Sequence, residues 1–155
     1  MTDVQRTLVL VKPDGVARGL VGAVVQRLEA KGLTLAAVKV MNVPTDLART
    51  HYGEHEGKPF YQGLIEYITA CPIVGAVLEG TGAVETVRKT MGATNPAKAE
   101  PGTIRGDLGL ETGRNLIHGS DSVESAAREI GLFFQESDLH GYQRDVDGWI
   151  FENPA

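Results

Sequence analysis

Cysteine occurs once in the 155 residues, at Cys71. A single thiol closes no intramolecular disulfide, which excludes the disulfide-stapled scaffolds of small secreted proteins. Long apolar runs are missing too: no stretch approaches the roughly 18 residues that a membrane-spanning helix needs. The opening Met1-Thr2-Asp3-Val4-Gln5 has neither the basic start nor the apolar core of a secretory leader. These absences predict a cytoplasmic protein with no membrane partner. Positive charge is not in excess either. With a formal net charge of -5, the chain exerts no bulk attraction on nucleic acid or anionic lipid, so nucleic acid is not an expected partner. Any polyanion it binds must meet a local cationic cluster.

Several signatures of chemistry are also lacking. No GxxxxGK[ST] loop is present, so the commonest sequence device for cradling nucleotide phosphates is missing. Gly80-Thr81-Gly82 resembles the start of a dinucleotide-binding turn, but Glu85 stands where the third glycine would fall. No Cys/His spacing suggests zinc, and no Gly-x-Ser-x-Gly elbow suggests an acyl-transfer serine.

What remains is ordinary globular usage, 42% hydrophobic and 23% charged, in a chain long enough to bury its own core as one domain over residues 1–155. Thr7 to Val11 read as a short buried strand that ends at Lys12-Pro13-Asp14-Gly15, a run with strong turn chemistry. Leu20, Val24 and Leu28 recur at helical spacing, and Gly32 is placed to end that helix. Leu33 to Met41 read as a second strand, and Pro44-Thr45 opens a short helix with Thr45 as its cap. Pro59 fits the first turn of a helix carrying Phe60, Leu64 and Ile68 on one side. Pro72 to Glu79 read as a third strand, followed by a helix marked by Val84, Val87 and Met91. Between about Ala93 and Arg114 periodicity fails, and a structureless insert of roughly twenty residues in a compact domain often carries function. Leu116-Ile117-His118 is a last short strand, and Asp121-Ser122-Val123-Glu124 starts a capped helix buried through Ala126, Ile130 and Phe133. The residues from Asp138 to the end show no period and read as a tail at subunit contacts. This order predicts an α/β chain of the α+β sandwich kind: a ferredoxin-like, mostly antiparallel four-stranded sheet with helices packed over it.

His118 draws attention because it stands where an apolar strand ends and a capped helix begins, a place where α/β folds expose side chains to a crevice. A neutral imidazole is nucleophilic near pH 7, and Ser120 or Glu129 could fix its tautomer. A packed histidine bonded to a carbonyl is an equally good local reading. Arg88, Thr94-Asn95-Pro96 and Gly102-Thr103-Ile104-Arg105-Gly106-Asp107 surround it in sequence with guanidinium forks and close-approach glycines suited to phosphate. Taken singly, each arginine reads equally well as a surface charge. His55 is a phosphate contact or an exposed helix histidine. Phe60 is a stacking platform for a base or a core aromatic. His51 and His140 read as structural, Cys71 as a small buried residue, and Trp149 as a packing or interface residue.

Along almost its whole length the sequence resembles the nucleoside diphosphate kinase family. The matching blocks are Arg6-Thr7, Val11-Lys12-Pro13-Asp14-Gly15-Val16, Arg18-Gly19-Leu20-Val21-Gly22, Lys58-Pro59-Phe60, Gly92-Ala93-Thr94-Asn95-Pro96, Pro101-Gly102-Thr103-Ile104-Arg105-Gly106-Asp107 and Asn115-Leu116-Ile117-His118-Gly119-Ser120-Asp121-Ser122. The resemblance implies a ping-pong exchange in which a nucleoside triphosphate phosphorylates His118 and a second nucleoside diphosphate removes the group. It implies that Lys12, Tyr52, Arg88, Thr94, Arg105 and Asn115 surround the phosphates, ribose and transferring group, with His55 assisting. Phe60 would stack on the base beside Leu64 and Thr112, giving loose specificity for base and sugar. Mg²⁺ would arrive on the nucleotide phosphates, with no dedicated protein cage and with Asp121 as a candidate outer contact.

Three places depart from the family pattern. Tyr61 stands for a frequent phenylalanine, Gly57-Lys58 for a charged residue and arginine, and Thr112 for an aliphatic residue. The resemblance also implies a homohexamer built from dimers, with a tetramer as the alternative, and the tail ending Trp149-Ile150-Phe151-Glu152 is similar to that of hexameric members. Two other functions remain open to the residues: a phosphohistidine relay that hands the group to a protein, and a ferredoxin-like regulatory module that binds nucleotide without turnover.

Overall fold

The computed structural model describes residues 3–154. Its strands are Val4–Val11 (β1), Thr34–Met41 (β2), Ile73–Thr81 (β3) and Ile117–Gly119 (β4). They form one antiparallel sheet in the order β2-β3-β1-β4. The helices are Pro13–Ala17 (α1), Val21–Ala30 (α2), Thr45–His51 (α3), Tyr61–Thr69 (α4), Ala83–Met91 (α5), Ile104–Leu108 (α6) and Val123–Phe133 (α7). The expected ferredoxin-like antiparallel sheet with covering helices is therefore present.

Burial on both faces explains why the second half of the central strand β1, Leu8 to Val11, reads as an unbroken apolar run. Val9 and Val11 enter a core with Val24, Leu28, Val87 and Met91 from α2 and α5. Leu8 and Leu10 enter a second core with Ala48, Ile65, Ile68 and Phe133 from α3, α4 and α7. Leu8 and Leu10 are both fully buried, so truncating either to alanine costs on the order of 2–5 kcal/mol. The register fixes the site: His118 lies opposite Leu10, and directly opposed residues share a sheet face. His118 therefore faces α3 and α7.

Several local readings are corrected. Lys12-Pro13-Asp14-Gly15 does not form a free turn; Lys12 is the N-cap of α1 and Pro13 its first residue, where a missing N–H costs nothing. Thr45 is the first residue of α3, and Pro44 occupies the cap position without a side-chain bond. Pro59 precedes α4, whose N-cap is Phe60, and the residues α4 buries are Ile65 and Ile68. Phe60 itself is 51% exposed, so it is no core aromatic. The irregular segment contains α6 and single 3-10 turns at Pro96–Lys98 and Thr112–Arg114. Asn95 and Thr103 cap the first two by accepting the amides of Ala97 and Gly106. Elements of three to five residues complete too few turns to show a period. Part of the tail lies on its own chain: the His140 amide donates to Ala36, the Tyr142 hydroxyl to Leu35, and Arg144 to Gly32 and Leu33. Trp149 is 92% exposed and finds no packing within the chain.

Candidate active site

The residues preceding β4 follow an unusual path. Leu116 has φ of 72° and is the one non-glycine residue with positive φ among those described. The Ile117 amide donates back to the Asn115 carbonyl at 2.8 Å, closing a γ-turn of the rare, strained hand. Such a conformation costs on the order of 1–3 kcal/mol and persists only where its surroundings over-determine it. The Leu116 amide donates to Asp14 Oδ2 at 3.0 Å, and the Leu116 carbonyl accepts from the Lys12 amide at 2.8 Å. Arg105 donates through Nε to the Asn115 carbonyl at 3.2 Å and through its terminal nitrogens to the carbonyls of Ile117 at 2.7 Å and Gly92 at 3.1 Å. Gly15 sits below, where a Cβ would come within 2.7 Å of Val11 and 3.2 Å of the Leu116 carbonyl oxygen.

This turn presents His118 to Glu129, one face of α7 away. His118 Nε2 and Glu129 Oε1 are 2.5 Å apart, and the Ser120 hydroxyl donates to the same carboxylate oxygen at 3.2 Å. Burial pushes Glu129 toward the neutral form, but the His118 hydrogen bond and charge, His51 and Ser120 outweigh it and hold the carboxyl below the usual range. Beside an ionised carboxylate, Nε2 carries a proton, so in the neutral form of the ring the lone pair is on Nδ1. His51 stands with its ring edge-on to His118, centroids 4.8 Å apart. Burial first, and then the His118 charge, lower its pKa to about 4. Both of its ring nitrogens are buried without a hydrogen-bond partner. It is a neutral wall of the site.

A cleft of about 140 Å³ opens on this group, lined among others by Tyr52, Glu54, His55, Arg88, His118, Asp121, Arg128 and Glu129. Arg88 is anchored by donating to the Gly119 carbonyl at 3.2 Å. Burial, followed by Glu129, raises Tyr52 to about 12, so its hydroxyl stays a donor. Behind the cleft, Lys12 Nζ donates to Asn115 Oδ1 at 2.8 Å, and Asn115 Nδ2 donates to the Thr94 carbonyl at 2.9 Å. Burial and then Arg105 lower Lys12 to about 8, partly opposed by Asp14. Burial and then Arg88 lower Arg105 to about 10. Burial is the larger cause in both cases, and a neighbouring cation adds to it: Arg105 for Lys12 and Arg88 for Arg105. At the rim the Phe60 ring lies 5.3 Å from the His55 ring and 5.7 Å from Lys58 Nζ.

The expected residues thus divide. His118, Glu129, Tyr52, His55, Arg88 and Asp121 line the cleft, buried Ser120 reaches it only through its bond to Glu129, and Lys12, Asn115 and the Thr94 carbonyl form a bonded row. Arg105 is buried at 4% exposure and braces the β4 backbone through three carbonyls, a role its sequence did not announce. Leu64 packs partly into the core, and Thr112 is exposed on its own short turn. Sequence reasoning reads His51 as structural and gives no site role to Glu54, Arg128, Asp14 or Tyr67. The adjacency of His51 to Tyr52 at the end of α3 was the available signal for the first. His51, His118 and Glu129 offer three ligand atoms within 4.8 Å of one another. The 2.5 Å between His118 and Glu129 is a hydrogen-bond distance, too short for two ligands each about 2.0–2.2 Å from one ion. Larger hollows of about 640 and 660 Å³ lie at the ends of β1 and β3, one against the tail and one against α7, away from His118.

A family model described as nucleoside diphosphate kinase matches residues 5–139. The chain belongs to the nucleoside diphosphate kinase family. It is 56% identical to a nucleoside diphosphate kinase of Carboxydothermus hydrogenoformans, over 96% of this chain and 99% of that protein. It is 58% identical to one of Thermomicrobium roseum, over 94% and 98%. Among solved structures it resembles a halophilic nucleoside diphosphate kinase from Halobacterium salinarum in complex with CDP, at TM-score 0.93 and 49% identity over 96% of this chain and 99% of that one. As a nucleoside diphosphate kinase family member, the chain is a phosphotransferase that moves the terminal phosphate between nucleotides through a phosphohistidine. Among the described residues no helix is long and apolar enough to cross a membrane.

Proposed function

We propose that His118 is the phosphorylated residue and that Nδ1 is its attacking atom. The observation that carries this is the 2.5 Å contact from His118 Nε2 to ionised Glu129, which fixes the tautomer and offsets the positive charge that grows on the ring as the bond forms. In the first half-reaction the Nδ1 lone pair forms the N–P bond while the bond from the γ-phosphorus to the bridging oxygen breaks, and the diphosphate leaves with that electron pair. The second half-reaction reverses this on a different diphosphate. Little covalent chemistry is asked of the protein beyond position and charge. Lys12, Arg88, Arg105, Tyr52, His55, Thr94 and Asn115 surround the phosphates and ribose, with Arg105 acting largely through the backbone it braces.

Phe60, Leu64 and Thr112 receive the base. A half-exposed ring stacks on any base without reading its edge, which supports broad exchange among purine, pyrimidine, ribo and deoxyribo nucleotides. Mg²⁺ fits as a passenger on the nucleotide, since the carboxylates exposed at the cleft are Glu54 and Asp121 and neither belongs to a closed oxygen cage. When bound with the nucleotide, Mg²⁺ would offset charge on the phosphate oxygens, and Asp121 at the cleft would be its outer contact.

The same reading makes residues 1–155 one cytoplasmic kinase domain assembled as a homohexamer, with a tetramer as the alternative. Exposed Trp149, Val146 and Ile150 on the tail and Val38 and Val40 on the edge strand β2 support contacts between copies. Light scattering at several concentrations checks this; a dimer throughout ends the hexamer. The chemical test is incubation with Mg²⁺ and γ-labelled ATP without acceptor. We expect acid-labile, base-stable label on the protein, chased into GTP by GDP and absent in His118→Asn. Bound nucleotide without label would point to the regulatory module, and label that no diphosphate removes would point to the protein relay.

A further inference from the structure

The strained turn at Leu116 lies outside the cleft, yet both Asn115 and His118 take their positions from it. Its carbonyl groups have partners in Lys12 and Arg105, but these atoms restrain the chain on either side of the Leu116 amide. That amide points to Asp14 Oδ2 at 3.0 Å. The other carboxylate oxygen, Asp14 Oδ1, accepts the Tyr67 hydroxyl. Tyr67 is in turn covered by the Arg114 guanidinium, 4.7 Å from its ring centre. The pin therefore runs from α4 through the first turn of α1 to the residue two before His118.

We propose that Asp14 and Tyr67 are positioning residues for phosphoryl transfer: Asp14 holds the Leu116 backbone in its left-handed conformation, and Tyr67 holds Asp14. Neither lines the cleft, so neither is a catalytic residue. Without the carboxylate, the Leu116 amide has no acceptor in its present direction, and the route out of the strain is rotation of φ to a negative value. That rotation carries Asn115 away from Lys12 and tilts the strand that presents His118. Displacements of about 1 Å at a reacting group lower rates by about 100-fold. Asp14 also faces Lys12 electrostatically, so charge must be separated from geometry. Asp14→Asn does this: its amide oxygen can still accept the Leu116 N–H, its amide group can donate to the Tyr67 oxygen, and the charge is gone.

This inference rests on the phosphohistidine reading, and the experiment keeps the two apart. Single-turnover labelling of the full chain by Mg²⁺ and γ-labelled ATP is measured at saturation for the parent, Tyr67→Phe, Asp14→Asn and Asp14→Ala, together with ADP affinity by calorimetry and the thermal midpoint. A parent that takes no label overturns the functional reading. With the parent labelled, we expect Tyr67→Phe to slow saturated labelling about tenfold and Asp14→Ala about 100-fold. Asp14→Asn should stay within about threefold of the parent, with an unmoved pH profile and ADP affinity within about threefold of the parent's. Parent-rate labelling in Tyr67→Phe overturns the proposal. So does Asp14→Asn as slow as Asp14→Ala, which would make Asp14 a charge partner of Lys12. If Asp14→Ala does not fold, Tyr67→Phe and Asp14→Asn decide it.

Discussion

The floor of the site and its rim are built on opposite principles. At the floor Leu116 and Ser120 are fully buried, Arg105 and Glu129 nearly so, and the polar groups of the turn before His118 are bonded. At the rim Phe60, Lys58 and Thr112 are exposed, and Gly57 takes a positive φ of 85° in open space. A buried floor whose turn is bonded on every side holds the reacting group in place at the expense of backbone strain. An open rim tolerates variety in what it holds. The three departures from the family pattern, Tyr61, Gly57-Lys58 and Thr112, all lie on or beside the rim.

The sharpest way to break this comparison is at the nucleophile. His118→Asn should lose labelling and exchange by at least about a thousandfold, with ADP affinity near the parent's; substantial label in the variant would move the chemistry elsewhere. Glu129→Gln keeps a hydrogen-bond acceptor but removes the charge that offsets the growing imidazolium. It should lower the saturated labelling rate about 100-fold with little change in KM, and a rise in KM alone would return Glu129 to a binding role.

His51 tests the floor through stability. Its folded pKa is about 4 against an ordinary 6.5, so between those values the unfolded chain binds more protons and stability falls as pH falls. About 3 kcal/mol should be lost from pH 6.5 toward 4. That component should be missing from urea unfolding of His51→Leu, and equal pH slopes for the two proteins would show that His51 titrates normally.

Effects at the rim should be smaller and should appear in binding. Phe60→Ala should raise KM about tenfold across all bases with kcat nearly kept, as expected for removal of a stacking face. A loss confined to purines would mean the rim reads more than a π-surface. Thr112→Ala should change KM less than about twofold, and a larger effect would give that hydroxyl a direct contact.

How much of this was legible in the sequence follows the same division. The strands and most helices could be read because apolar period and terminators are local, as in Leu20, Val24, Leu28 and Gly32. His118, Glu129, Ser120 and Arg88 were legible because they stand at element ends or on the face of a long helix. The conformation of Leu116 was not legible: leucine has no intrinsic preference for positive φ, and its partner Asp14 lies near the opposite end of the chain. Arg105 suggested phosphate because a guanidinium fork suits it, but burial turned its donors to carbonyls. His51 was read as structural because its neighbours in sequence do not include the imidazole it faces.

The pairing of β1 with β4, Val9 opposite Gly119, sets an order of events during synthesis. Lys12, Arg88 and Arg105 leave the ribosome before the short edge strand that bears His118, and Glu129 follows later still on α7. Closing so long a loop onto a three-residue strand is an entropically late step. The edge strand and α7 are thus the last parts of the site to be made, so the site closes only after the other three strands of the sheet exist.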